Sequence, residues 1–177
     1  MQPVNVAVVG ATGAVGEAMI EILEARDFPV DTLYPLASSR SVGRTVQFRG
    51  KRHSILDLAE FDFSQTPIAL FSAGGDVSAE YAPAAAAAGC VVIDNTSHFR
   101  RDDDIPLVVA EVNPEALKGF RQRGIVANPN CSTMQMLVAL KPIYDAVGIE
   151  RINVATYQAV SGTGKACLLY TSDAADE

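Results

Sequence analysis

The chain has no tryptophan, and only two histidines and three cysteines among its 177 residues. Cys90, Cys131 and Cys167 lie far apart, and His53 and His98 stand alone. None of them has metal-ligand spacing, and three scattered cysteines make no disulfide scaffold, so free thiols in a reducing cytoplasm fit best. Positive charge is also scarce. Fourteen Lys and Arg against 21 Asp and Glu leave a net charge of −7, which argues against nucleic acid or an anionic membrane as partner. No apolar run is long enough to span a bilayer. The opening residues Met1-Gln2-Pro3-Val4-Asn5 lack the basic and apolar regions of a signal peptide. What is present is an ordinary globular composition, 49% hydrophobic, sufficient for one domain or one and a fraction.

Strand and helix alternate along the sequence. Residues 4–9 read as a short β-branched buried strand ended by Gly10. Residues 15–25 read as a helix with Val15, Met19, Ile22 and Leu23 on one face. Further strands are expected at 32–37, 67–71, 91–94 and 125–127, with a possible one at 107–109. Residues 45–48 and 51–56 alternate around Arg49-Gly50, which predicts a small antiparallel hairpin inserted in the sheet. The alanine-rich stretch 77–88 reads as a helix packed closely on the sheet and ended by Gly89. The pattern is that of a Rossmann-like α/β fold, a doubly wound, mostly parallel sheet covered on both faces. Near Asn128 it changes to a helix over 132–147 and a long strand over 151–158. A domain boundary is therefore expected at about residue 128, with a coenzyme-binding domain over 1–127 and the start of an α+β catalytic and dimerisation domain over 128–166.

Gly10-Ala11-Thr12-Gly13-Ala14-Val15-Gly16 joins the first strand to the first helix and fits G-x-x-G-x-x-G. Gly10 permits the tight turn, Gly13 allows backbone N–H groups to approach a pyrophosphate, and Gly16 lets the helix pack against the strand. The helix start, with Thr12, Ala14 and Val15, then faces the phosphates; the competing reading is a glycine turn without a ligand. About 20 residues on, where NAD-binding folds carry an acid, the sequence reads Ala37-Ser38-Ser39-Arg40-Ser41. Ser38, Arg40 and Ser41 suit a 2′-phosphate, so NADP is favoured over NAD, unless Arg40 is simply a solvated loop cation. Phe71-Ser72-Ala73-Gly74-Gly75 ends the next strand on the same edge. Its small residues, Ser72 and Gly74 among them, either let the coenzyme lie close or form a plain turn.

Asn128-Pro129-Asn130-Cys131-Ser132-Thr133 sets a cysteine in a polar turn where a helix should start. Ser132 and Thr133 can cap that start. Helix-terminal N–H groups facing the Cys131 sulfur favour thiolate, the form that attacks carbonyl carbon. The competing reading is a buried structural cysteine, against which the polar neighbours argue. Asp94-Asn95-Thr96-Ser97-His98-Phe99-Arg100-Arg101 follows another strand. Arg100 and Arg101 can hold phosphate or carboxylate, or form a surface ion-pair cluster with Asp102, Asp103 and Asp104. Gln158-Ala159-Val160-Ser161-Gly162-Thr163-Gly164-Lys165 is like a P-loop only superficially. Ala159 stands where that motif needs glycine and Ala166 where it needs Ser or Thr. Gln158 is a candidate substrate ligand, and Ser161 and Gly162 candidates for the nicotinamide end of the coenzyme.

Together these motifs resemble bacterial-type aspartate-β-semialdehyde dehydrogenases, in family order from residue 4 to residue 166. The related N-acetyl-γ-glutamyl-phosphate reductases share the architecture, but their cysteine motif typically reads glycine-cysteine-tyrosine-proline-threonine. Asn130-Cys131-Ser132-Thr133 favours the first family. A non-catalytic NADP-binding protein is the alternative from another class. The resemblance implies NADP-dependent, reversible reductive dephosphorylation of aspartyl phosphate to aspartate semialdehyde, on the route to lysine, threonine, methionine and diaminopimelate. It implies that Cys131 displaces phosphate to form a thioester, which hydride from NADPH then reduces. It further implies that the Asn130 amide steadies the oxyanion, that Arg100 binds phosphate and Gln158 substrate, and that the family works as cytoplasmic homo-oligomers without a metal. The family's catalytic histidine and its substrate-binding arginine, glutamate and lysine have no counterpart here. Neither His53 nor His98 matches, so these residues alone are not expected to turn over. Residues 167–177 do not resemble the family. They read as a translated transposase-type sequencing adapter and are expected to lie outside the native fold.

Overall fold

The computed structural model describes residues 2–157. Its frame is a six-stranded, all-parallel sheet in the order β5-β2-β1-β6-β7-β8. The strands are β1 (Val4–Val9), β2 (Val30–Ala37), β5 (Leu56–Asp57), β6 (Ile68–Phe71), β7 (Val91–Asp94) and β8 (Ile125–Ala127). Helix α1 (Ala14–Ala25) crosses from β1 to β2, and α2 (Gly75–Ala87) from β6 to β7. β1 alternates its side chains between two cores. Val6 and Val8 pack with Ile20, Leu33 and Ile55, while Ala7 and Val9 pack with Phe71, Ala82, Ala85 and Val92. A sheet buried on both faces needs apolar residues at every strand position, which is why these strands read as continuous β-branched runs.

Close packing fixes both helices. Ala82 and Ala85 of α2 are fully buried, and the alanine run lets α2 sit low on the sheet, as expected. For α1 the expected face is wrong in part. Gly16 and Ile20 are buried and Met19 and Leu23 pack beside them, whereas Val15 and Ile22 are 43% and 53% exposed. The cause is Gly16, where an added Cβ would lie 2.2 Å from the Gly10 carbonyl oxygen. So close an approach turns the glycine side of the helix inward, and the buried stripe follows it at i+3, i+4 and i+7.

Three other expectations are corrected. The hairpin forms, as β3 (Thr45–Phe48) with β4 (Lys51–Ser54), but it is a separate two-stranded sheet and not an insertion; only Leu56 and Asp57 beyond it join the main sheet, beside Leu36 and Ala37 of β2. Residues 107–109 contribute one isolated bridge, Leu107 to Ala127, and not a strand. Residues 151–157 form no strand and are exposed, in place of the long strand expected over 151–158; Gln158 lies outside the described residues. The sequence reading also passed over a 3₁₀ stretch at Pro114–Gln122. Helix α3 spans Cys131–Val147, and none of its residues is buried.

Candidate functional site

The site is built from chain reversals at the carboxyl ends of neighbouring strands. β1 pairs with β2 on one side and β6 on the other, so the sheet order reverses there, and ligands of open parallel sheets bind at such a crevice. After β1 the chain turns at Gly10, φ +88°, where an added Cβ would meet the Ala73 nitrogen and the Ser72 Oγ at 3.0 Å. Gly13 N–H donates to the Gly10 carbonyl at 2.9 Å and closes the turn. Gly13 is then the N-cap of α1 and has no side chain to cap with. The same holds across the crevice, where Gly74, φ +102°, is the N-cap of α2. Two neighbouring helices thus begin without a side-chain cap, and the first N–H groups of a helix have no partner inside it. Uncapped donors at the positive ends of two helix dipoles suit a pyrophosphate.

The remaining expected coenzyme residues fall beside this crevice. Thr12 lies in the turn before the N-cap, Ala14 and Val15 form the exposed start of α1, and Gly16 is buried against the Gly10 carbonyl. Ser72 Oγ donates to the Val9 carbonyl at 3.0 Å and ties the end of β6 to the end of β1. Ser38, Arg40 and Ser41 form a short turn at the carboxyl end of β2, with Ser38 and Arg40 exposed. Ser161 and Gly162, like Gln158, lie outside the described residues.

Cys131 is the first residue of α3, two positions after the buried Pro129 and close behind β8, and it is exposed. The cap is not Ser132 or Thr133, which stand inside the first turn. It is Asn130, whose Oδ1 accepts from the Ser132 N–H at 3.0 Å. Capping from one residue before the cysteine leaves Cys131 at the helix tip instead of outside it. It also engages the Asn130 amide oxygen: Oδ1 takes the Ser132 N–H and lies 3.9 Å from the Cys131 Sγ, which leaves Nδ2 as the donor of that amide. Cys90 shows the opposite environment. It is buried at the residue that leads into β7, and burial pushes its thiol up to about 12.

Arg100 does not join an aspartate cluster. Its Nε donates to the Asn128 carbonyl at 2.7 Å and its Nη2 to the Asn95 carbonyl at 3.0 Å, while Asp104 pairs with Arg123 at 2.8 Å. Arg100 therefore straps the loop after β7 to the turn that leads into Cys131. Beneath it is Asp94, to which the sequence alone assigns no role. Its fully buried carboxylate accepts from Ser78 Oγ at 2.9 Å, Thr96 N–H at 3.0 Å and Thr96 Oγ1 at 2.8 Å. Its main-chain carbonyl accepts from the Asn128 N–H at 2.9 Å. The sequence signal was an acid ending a wholly apolar strand and followed by Thr; its third donor, Ser78 of α2, could not be read from spacing.

A parallel sheet with two uncapped helix starts at its switch point defines the class of dinucleotide-binding α/β domains. The family is narrower. Residues 5–120 match the semialdehyde dehydrogenase NAD-binding domain, and residues 140–174 match the semialdehyde dehydrogenase dimerisation domain. The chain belongs to the semialdehyde dehydrogenase family. It is 70% identical over 164 residues to the aspartate-semialdehyde dehydrogenase of Shewanella violacea, covering 93% of this chain and 48% of that protein. It superposes with a TM-score of 0.94, at 66% identity, on the crystal structure of aspartate semialdehyde dehydrogenase II complexed with ASA from Vibrio cholerae, covering 98% of this chain and 52% of that one. The Candida albicans enzyme solved with NADP matches with a TM-score of 0.70 and 26% identity over 84% of this chain and 48% of that one. The chain spans about half the length of the curated relatives it matches. Among the described residues no helix is long and apolar enough to cross a membrane.

Proposed function

We propose that this chain supplies the coenzyme cradle and the nucleophile of a cytoplasmic aspartate-β-semialdehyde dehydrogenase. The observation that carries the reading is the placement of Cys131, exposed at the tip of α3, at the sheet edge where Gly10, Gly13 and Gly74 leave two helix starts uncapped. NADP is the coenzyme, held by the two helix starts at its pyrophosphate and by Ser38, Arg40 and Ser41 at its 2′-phosphate. Its nicotinamide supplies hydride when bound. The substrate is aspartyl phosphate in the biosynthetic direction. The Cys131 sulfur attacks its acyl carbon, the C–S bond forms, the C–O bond to phosphorus breaks, and phosphate leaves. Asn130 Nδ2 donates to the oxygen that gains charge in that step. Arg100, fixed along one edge by two carbonyls, offers its remaining N–H groups to the departing phosphate. Gln158 contacts substrate, and Ser161 and Gly162 approach the nicotinamide. The boundary between coenzyme and catalytic parts falls at about residue 128, and the second part pairs copies of the protein into a homo-oligomer, a reading supported by the dimerisation-domain match over 140–174.

The test isolates the acylation half of the reaction. The chain is mixed with freshly made aspartyl phosphate and digested for mass spectrometry. The expected product carries one aspartyl group on the peptide containing Cys131, is cleaved by hydroxylamine, and is missing from Cys131→Ser, which still binds NADPH. A chain that binds NADPH and reacts with iodoacetamide at Cys131, yet takes no aspartyl group, is a coenzyme-binding protein without this chemistry.

A further inference from the structure

Asn128 is gripped at both of its backbone groups by one loop. Its N–H donates to the Asp94 carbonyl at 2.9 Å, and its carbonyl accepts from Arg100 Nε at 2.7 Å. Pro129 follows, its φ fixed by the ring, and then the N-cap Asn130 and Cys131. Where residues 94–100 place Asn128, the start of α3 must follow. The same loop carries Arg100, whose Nη2 donates to the Asn95 carbonyl at 3.0 Å. One loop therefore sets both the turn that bears the nucleophile and the guanidinium.

A buried side chain gives that loop its shape. Asp94 ends β7 and is fully buried. Its Oδ1 accepts from Ser78 Oγ at 2.9 Å and from the Thr96 N–H at 3.0 Å, and its Oδ2 accepts from Thr96 Oγ1 at 2.8 Å. The two bonds to Thr96 turn the chain back on Asp94 as it leaves the strand. Thr96 Oγ1 in turn accepts from the His98 N–H at 3.3 Å, and Phe99 is buried in the core next to Arg100 in the chain. Ser78 ties the group to α2, the helix that starts at Gly74 in the crevice. Stability alone gives no reason for an acid here. An apolar residue would continue the run Val91-Val92-Ile93 without the cost of desolvating a carboxyl group.

We propose that Asp94, acting through Thr96, is a positioning residue that fixes the spacing between the Cys131 sulfur and the Arg100 guanidinium. The inference rests on the roles given above to those two residues and assigns to a third the task of holding them in register. Being fully buried, Asp94 meets no substrate. Attack on an acyl phosphate needs sulfur at the carbon and a cation at the phosphate together, so an error in spacing costs rate even when both groups are intact.

Three variants of the 177-residue chain test this, each first matched to wild type by circular dichroism. Thr96→Val removes the hydroxyl that Asp94 accepts from, Thr96→Ser keeps it, and Ser78→Ala reaches the loop only through Asp94. Acylation of Cys131 by aspartyl phosphate should slow at least about tenfold in Thr96→Val and about threefold in Ser78→Ala, and Thr96→Ser should recover most of the rate. Alkylation by iodoacetamide, which needs no phosphate site, should change less than about twofold in all three. In heteronuclear NMR spectra the Arg100 Nε–H, identified by its loss in Arg100→Lys, should exchange slowly in wild type, be lost to exchange in Thr96→Val and return in Thr96→Ser. Unchanged acylation in Thr96→Val and Ser78→Ala, or equal slowing of acylation and alkylation, overturns the assignment. If the wild-type chain takes no aspartyl group, the catalytic reading falls. The Arg100 signal then decides alone: lost and restored by the Thr96 pair it supports the positioning role, and constant across the variants it overturns it.

Discussion

Two cysteines in this chain have opposite surroundings because they sit at opposite kinds of position. Cys131 begins a helix behind a polar turn and is exposed; Cys90 precedes β7, is 2% exposed, and its thiol meets only the Val91 carbonyl at 3.7 Å. Burial favours the neutral thiol and raises Cys90 from 9.0 to about 12. A group raised in the folded state contributes its full stability below the unfolded value and loses it as pH rises through the folded one. The native state should therefore weaken between about pH 9 and pH 12. Cys90→Ala should flatten that part of the profile, a difference of up to about 4 kcal/mol across the window. Urea melts of the two proteins at several alkaline pH values measure it, and parallel profiles would show that Cys90 does not titrate on unfolding. Cys131 was legible in the sequence because its neighbours Asn128, Pro129 and Asn130 are the chemistry of a turn. Asp94 was not, because its role depends on Ser78 from another helix and on what Arg100 does above it.

Among the elements, the β1–α1 junction is governed by contact distance more than by hydrophobicity. At Gly16 an added Cβ would lie 2.2 Å from the Gly10 oxygen, 2.7 Å from the Gly10 carbon and 2.9 Å from the Ala11 Cα, all backbone atoms. Gly16→Ala must push α1 off the turn that forms the cradle. It should cost about 2–3 kcal/mol and weaken NADPH binding at the same time. A urea midpoint shift equivalent to less than about 0.5 kcal/mol would show that the helix yields freely. The same closeness explains what the periodicity concealed. Hydrophobic spacing put Val15 and Ile22 in the core, but a helix docked on its glycine rotates those residues out. Strands β1, β7 and β8 were legible to the residue because a doubly covered strand is apolar at almost every position. The hairpin was legible as a hairpin from Arg49-Gly50. Its detachment was not, since pairing with the main sheet depends on neighbours no local pattern names.

At the scale of the molecule the two parts differ in what holds them. The sheet is buried on both faces, whereas the 17-residue helix α3 buries no residue. On one side Leu137, Leu140 and Tyr144 share a groove of about 460 Å³ with Ile149 and Ile152. Even so, Val138, Ile143 and Val147 are exposed, Val147 by 81%. A helix draws most of its stability from an apolar face packed on something, and this one has little. In dilute solution its amides should exchange at least about 100-fold faster than those of β1, β6 and β7, which open only with the whole sheet. If copies of the chain cover that face for one another, as the dimerisation-domain match suggests, protection of α3 should rise with protein concentration while that of the sheet stays fixed. Hydrogen exchange read by mass spectrometry across a dilution series separates the outcomes. Protection of α3 equal to that of the sheet at every concentration would mean that the helix is held by the single chain, and both the weakness argued here and the pairing would fall.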